Sequence, residues 1–504
     1  MTMELMTLIE EPRPLGWHRL IVEPRRPAAI RRMPRSYLLA VTAVCIGAFM
    51  GQLDASIVTL ALPALERSFH SSLAAVSWVG LSYLLVLVAT VAAVGRLADM
   101  VGRKLLYIYG FVIFIGSSAL CAAAPSLIAL DCFRALQAVG AAMLQANSVA
   151  IIALAVPRQR LGRSLGVQGA AQALGLALGP SVGGLLLAAG GWRLLFLVNV
   201  PIGLVGMAAA LLFIPRSEHL QNRARFDWLG FALFFPAVVA LVFAISQGHH
   251  QGWTSPLMVM VVAVAAVLGA GFVLWERRCQ SPMVDVSLFH RVRFTAGVSS
   301  SVLAFMVLFG VLVVVPFYLE RASGYGAVRT GIELMVMPVA LGLVAPFAGR
   351  MADQFGVRLP AAAGMATAAV GLGALGWLRP PTAGFLGLLV MVGAGLGLFM
   401  APNNAGIMAA VPSEQSGLAS GLLNMSRGVG TALGLAVTTA VFSSLGGDGG
   451  VPPVVRTAFS TAVLVLAVAA VLAAVTSAVG SSAQPLGRRH PVALEPAPLA
   501  PAPA

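Results

Sequence analysis

Charge is what this sequence has least of: 10% of its 504 residues are Asp, Glu, Lys or Arg, against roughly a quarter in an ordinary soluble domain. A soluble globule is excluded. Lysine is nearly missing, since Lys104 stands alone beside 31 arginines. It sits in Gly102-Arg103-Lys104-Leu105, so no G-x-x-x-x-G-K-[ST] phosphate loop and no ATPase site can be drawn. Gly393-x-Gly395-x-Gly397 lies inside an apolar run with no strand before it, which removes a nucleotide loop as well. The four cysteines, Cys45, Cys121, Cys132 and Cys279, have neither metal nor redox spacing and read as free, buried thiols, so no metal and no resident cofactor is expected. Long internal loops are also lacking, which argues against a membrane-embedded enzyme with a soluble catalytic segment.

What is present is apolar: 59% of the residues are hydrophobic. The 54 glycines and 30 prolines scatter through these runs, as membrane helices tolerate and soluble ones resist. A membrane span needs about 20 apolar residues, and fourteen such windows can be placed. They divide the chain into an arginine-rich arm (1–35), a first group of six spans (36–214), a loop (215–227), a pair of spans (228–275), a second loop (276–294), a second group of six (295–480) and a Pro/Ala-rich tail (481–504). The arm reads as cytoplasmic, and the tail as disordered and cytoplasmic. The net charge of +14 would suggest nucleic acid in a soluble protein. Here 24 of the 32 basic residues fall in the arm, the tail and the loops of one face, and six on the other. That asymmetry places both termini in the cytoplasm of a multi-pass cell (cytoplasmic, inner) membrane protein whose partner is the bilayer. Trp78, Trp192, Trp228, Trp253, Trp275 and Trp377 fall near span ends, where interfacial anchors belong.

The chain also repeats itself. GRLADMVGRK (95–104) recurs 254 residues on as GRMADQFGVR (349–358), and AVPRQRLGRSLG (155–166) recurs 255 residues on as AVPSEQSGLASG (410–421). A duplicated six-helix unit follows, with spans 7 and 8 an inserted pair.

These residues resemble the fourteen-helix drug:proton antiporter family of the major facilitator superfamily, from about Ser36 to Gly480. Gly95-x-Leu97-Ala98-Asp99-x-x-Gly102-Arg103-Lys104, with its echo at Gly349 and Asp353, matches the superfamily's gating loop. Leu174-Gly175-x-x-x-Gly179-Pro180-x-x-Gly183-Gly184 resembles the antiporter signature of its fifth helix. Trp192-Arg193-x-x-Phe196-x-x-Asn199-Val200-Pro201, Ala401-Pro402-Asn403-Asn404 and Gly417-Leu418-Ala419-Ser420-Gly421 point to the fourteen-helix branch. The resemblance implies an all-α integral membrane protein of the major facilitator fold, with two parallel repeats and substrate near the midplane between them. Asp99 is expected to dock near the start of span 13, where a helix N-terminus favours a carboxylate.

Ionisable residues inside the hydrocarbon are expensive and by default mark a functional site. Asp54, Arg134 and Arg427 lie deep in spans, Asp131 and Glu333 nearer their ends. Asp54 follows the start of its span by 18 residues, about 27 Å at 1.5 Å per residue. A carboxylate there could exchange a proton for a cationic substrate. Arg134, in Leu130-x-x-x-Arg134-x-x-Gln137-x-x-Gly140, matches the family's fourth-helix signature, whose arginine the resemblance assigns to proton coupling. Ala138 stands where the family usually has glycine. Asp54, Arg134 and Gln137 are the expected coupling residues, and Gln52, Asn147, Asn403, Asn404 and Glu333 the expected substrate contacts. Glu333 reads equally as the neighbour that neutralises Arg329, and Arg427 as structural, capped by carbonyls or Asn424. The expected function is proton-coupled export of amphipathic, often cationic drugs, with no cofactor beyond the proton gradient. A dedicated exporter of one antibiotic or siderophore is the alternative, ahead of an enzyme or a non-transporting sensor. In a Gram-negative host an adaptor and outer-membrane channel would be added partners.

Overall fold

The computed structural model describes residues 23–480 except positions 34, 72, 218–225, 280, 379–381 and 448–450. The expectations for the first 22 residues and for the 481–504 tail lie outside the described residues. Helix is the only extended regular structure among them. The long helices are α1 (Ser36–Phe69), α2 (Trp78–Val101), α3 (Arg103–Ala122), α4 (Leu127–Ala155), α5 (Leu161–Gly190), α6 (Asn199–Phe213), α7 (Trp228–Gln251), α8 (Pro256–Glu276), α9 (Val292–Arg321), α10 (Ala327–Phe355), α11 (Arg358–Leu378), α12 (Thr382–Ala409), α13 (Ser416–Ser444) and α14 (Pro452–Gly480). The short helix Trp192–Leu197 leads into α6 and completes the sixth span. Thirteen spans are long and apolar enough to cross a bilayer, and α5 makes a fourteenth through a 44° bend between Gly179 and Ser181. The sequence has proline at 180, a residue with no amide hydrogen to give to the helix ladder.

Helices α1–α6 and α9–α14 form two groups over two main apolar cores, the first of which runs on into α7, α8 and the start of α13. Met50, Tyr107, Phe111 and Phe114 fill the first, and Phe305, Leu308, Leu389 and Leu466 the second. The inserted pair sits at the periphery: α7 packs on α2 and α13, and α8 packs mainly on α7. Only 11% of the apolar window of α8 is buried, so lipid is the solvent for most of it. Asp227 caps α7 by accepting from Gly230 N at 2.8 Å and ties the pair together by accepting from Trp275 Nε1 at 2.8 Å.

Two expectations change here. Trp192 is buried, packed between Phe69 and Phe196 with its Nε1 on Ser68 Oγ at 3.1 Å, so it is a core residue rather than an interfacial anchor. Of the four cysteines only Cys121 is buried, and Cys132 is exposed. The end of the arm packs on α3: Glu23 is buried and accepts from Leu105 N at 3.2 Å and from the Ser217 hydroxyl at 2.7 Å, while Ser217 Oγ accepts from Arg103 N at 2.9 Å. Glu23 and Ser217 thus supply acceptors to the otherwise unpaired first turn of α3.

Candidate functional site: a buried ion pair and a two-fold latch

Helices α1 and α4 bring Asp54 and Arg134 together. Arg134 Nη1 donates to Asp54 Oδ2 at 2.8 Å, and both side chains are sealed, at 1% and 0% exposure. The other carboxylate oxygen, Oδ1, accepts from Gln137 Nε2 at 3.1 Å and from Asn199 Nδ2 at 2.7 Å. Arg134 is held in turn by the Val79 carbonyl at 3.1 Å and Gln137 Oε1 at 2.7 Å, and its guanidinium lies 4.2 Å from the Tyr83 ring centroid. Gln137 also donates to Ser118 Oγ at 2.7 Å. Every group facing Asp54 is a donor, so the network fits the carboxylate form. A protonated Asp54 must itself donate, which leaves one of those contacts without its acceptor.

The second feature lies at the arginine-rich end, where the two bundles meet. Asp99, fully buried at the end of α2, accepts from Gly417 N at 2.8 Å and Leu418 N at 2.9 Å on the first turn of α13. Arg103 grips the same carboxylate at 2.6 Å and also donates to the Ser413 carbonyl at 3.0 Å. The echo motif does likewise: Asp353 on α10 accepts from Gly162 N at 2.7 Å and Arg163 N at 3.0 Å on the first turn of α5. Helix N-termini leave their amides unpaired and carry partial positive charge, so each carboxylate is a natural cap. Close approach makes it possible. A Cβ added to Gly95 would collide with the Gly417 carbonyl, and one added to Gly349 with the Gly162 carbonyl.

Not every expected residue gathers at these two places. Lys104 points away from the latch and donates to the Pro24 and Leu211 carbonyls at 2.8 and 2.9 Å. Gly102 adopts φ +125° to turn α2 into α3, with the Glu23 carboxylate against it. Gly175 and Gly179 pack α5 against α1, at Phe49 and Ser56, rather than against the other bundle, while Gly184 has open space beside it and Gly183 is buried. Gln52 lines a small cleft walled by α1, α4 and α5 of the first bundle, together with Gln145, Ser148 and Gln172. Asn147 donates to its own helix at Met143, Asn403 to the Gly297 carbonyl at 3.1 Å, and Asn404 accepts from Arg427 at 2.9 Å. Glu333 pairs with Arg329 at 3.1 Å, which is the neutralising role the spacing of four offered. Tyr83, Ser118, Gln145 and Gln172 are not singled out by the sequence, which offers Asn199 as a neutral polar contact but does not tie it to Asp54. The signal that could have found them is a polar side chain inside an otherwise apolar window.

The Major Facilitator Superfamily model matches residues 44–331 and 297–502. The chain belongs to the major facilitator superfamily. This superfamily member is 34% identical over 414 residues to the multidrug resistance protein Stp of Mycobacterium tuberculosis, covering 82% of this chain and 77% of that one. It is 30% identical over 429 residues to the tetracenomycin C resistance and export protein of Streptomyces glaucescens, covering 84% and 80%. Its fold matches the solved proton:xylose symporter XylE with a TM-score of 0.61 at 14% identity, covering 86% of this chain and 94% of that one. It is a multi-pass membrane transporter of small molecules, in a superfamily of transporters rather than enzymes.

Proposed function

We propose that this transporter exports amphipathic, lipophilic compounds from the cytoplasm across the cell membrane in exchange for protons, with both termini on the cytoplasmic side. The observation that carries the reading is the sealed Asp54–Arg134 pair with its two amide donors. A proton reaching Asp54 deprives Arg134 of its counter-ion, and a buried charge without a partner drives rearrangement. Gln52 stands two residues before Asp54 on α1, and Gln145 and Ser148 lie on α4 beyond Arg134, so the same two helices carry both the ion pair and the cleft wall. A shift at the pair therefore moves the wall.

The latch supplies the alternation. With the arginine-rich end taken as cytoplasmic, Asp99 and Asp353 hold that end shut and the conformation faces outward. Opening it means pulling both carboxylates off the first turns of α13 and α5. The relatives named for multidrug resistance and for tetracenomycin C resistance and export support the outward direction of transport. The Streptomyces glaucescens relative, named for one compound, also favours a second reading, a dedicated exporter with a narrow substrate, and a substrate panel in cells lacking their own pumps separates the two. The test of energy source is direct. Dissipating the proton gradient while ATP is maintained abolishes efflux from cells expressing the protein, whereas efflux that continues unchanged refutes proton coupling.

A further inference from the structure

Asp54, Asp99 and Glu333 are each committed to an arginine. Among the described residues, the buried Arg427 is not matched in this way. Arg427 lies 11 residues into α13, about 16 Å along the helix, and is 6% exposed. Its Nη1 donates to Asn424 Oδ1 at 3.1 Å and its Nη2 to Asn404 Oδ1 at 2.9 Å, both neutral amides. Its Nε hydrogen finds no acceptor, and no carboxylate stands against it, among the described residues. The Phe305 ring lies 5.2 Å from the guanidinium carbon.

Its place in the molecule is telling. Asn424 reaches across the bundle interface and donates to the Gln145 carbonyl of α4 at 2.9 Å, and Gln145 lines the cleft. The 255-residue offset that relates the start of α5 to that of α13 carries Arg427 onto Gln172, itself on the cleft wall. Arg427 is thus one side chain removed from the cleft wall, joined to it through Asn424, and an uncompensated intramembrane charge in such a place marks a site for a counter-ion. The planar fork of a guanidinium suits a carboxylate in particular.

We infer that Arg427, oriented by Asn404 and Asn424, binds an anionic group of the transported molecule, so that the substrate class is amphipathic organic anions bearing a carboxylate. This rests on the exporter reading and narrows it. The sequence reads Arg427 as structural. The amide caps do hold it, but they leave its charge unmatched.

The test uses the purified full chain with two dyes, carboxyfluorescein as the anion and ethidium as the cation. Binding is read by fluorescence anisotropy, and flux in proteoliposomes under a pH gradient. Wild type is expected to bind carboxyfluorescein more tightly than ethidium. Arg427→Gln is expected to weaken carboxyfluorescein binding by about tenfold or more, the scale of a hydrogen bond to a charged group, and to leave ethidium unaffected. Arg427→Lys keeps the charge and most of the binding, which separates recognition from misfolding. The inference is overturned if wild type does not bind carboxyfluorescein, or if Arg427→Gln binds it as wild type does. Arg427-dependent binding without gradient-driven flux would leave the site standing and sink the exporter reading. Gradient-driven flux that Arg427→Gln does not change would do the reverse.

Discussion

Asp54 is surrounded by donors only, and that single fact sets what its variants should do. Asp54→Asn keeps the shape and loses the titrating group, so insertion and folding are retained while substrate-for-proton exchange is lost. Arg134→Ala is different in kind, because it strands a buried carboxylate, a defect that costs about 3–5 kcal/mol when one partner of a sealed pair is removed. The expected result is a large drop in thermal stability in detergent. Asp54→Ala combined with Arg134→Ala recovers much of that stability without recovering exchange, and a double variant as unstable as Arg134→Ala alone would contradict the pairing. Asp54, Arg134 and Gln137 were legible in the sequence because polar groups in an apolar window are conspicuous. Their partner Asn199 was less so. A motif asparagine looks the same whether it faces a carboxylate or glues two helices, and the contact spans 145 residues of chain.

Helices are where the latch acts. The α2–α13 and α5–α10 crossings are backbone to backbone at Gly95 against Gly417 and Gly349 against Gly162, so bulk at those glycines holds the bundles apart. Gly349→Val is expected to leave the protein inserted in normal amount and to lower the transport rate by about tenfold or more, since a side chain there meets the Gly162 carbonyl and pulls Asp353 out of hydrogen-bond reach of the α5 amides. Labelling of a cysteine placed at Ser413 checks the cause, and should become faster in that variant. Hydropathy made the spans legible, and the proline in α5 made its bend legible. The duplicated GRLAD and GRMAD strings forecast that whatever Asp99 does, Asp353 does symmetrically, and both carboxylates do cap an α-helix of the opposite bundle. Trp192 misled because a tryptophan near a span end gives one signal whether its ring meets lipid or Phe69. The Glu23 contact was hidden for another reason. It closes on Ser217 across 194 residues, with nothing in either local sequence to announce it.

Across the whole molecule, two bundles carry unequal chemistry on one scaffold. The first holds a complete ion pair, the second a lone guanidinium, and the latch joins them at one end. The proposed orientation has its own test: a protease or a membrane-impermeant reagent applied from outside intact cells should not reach an epitope added at either terminus, and should reach it once the membrane is opened. The central claim is that protonation of Asp54 is what the transport cycle exchanges for substrate. Its most direct measurement is proton movement, followed with a pH-sensitive dye trapped in proteoliposomes, upon addition of a transported compound. The account predicts substrate-triggered proton flux in the wild type and none above protein-free vesicles in Asp54→Asn. Flux of equal size in both proteins would contradict it.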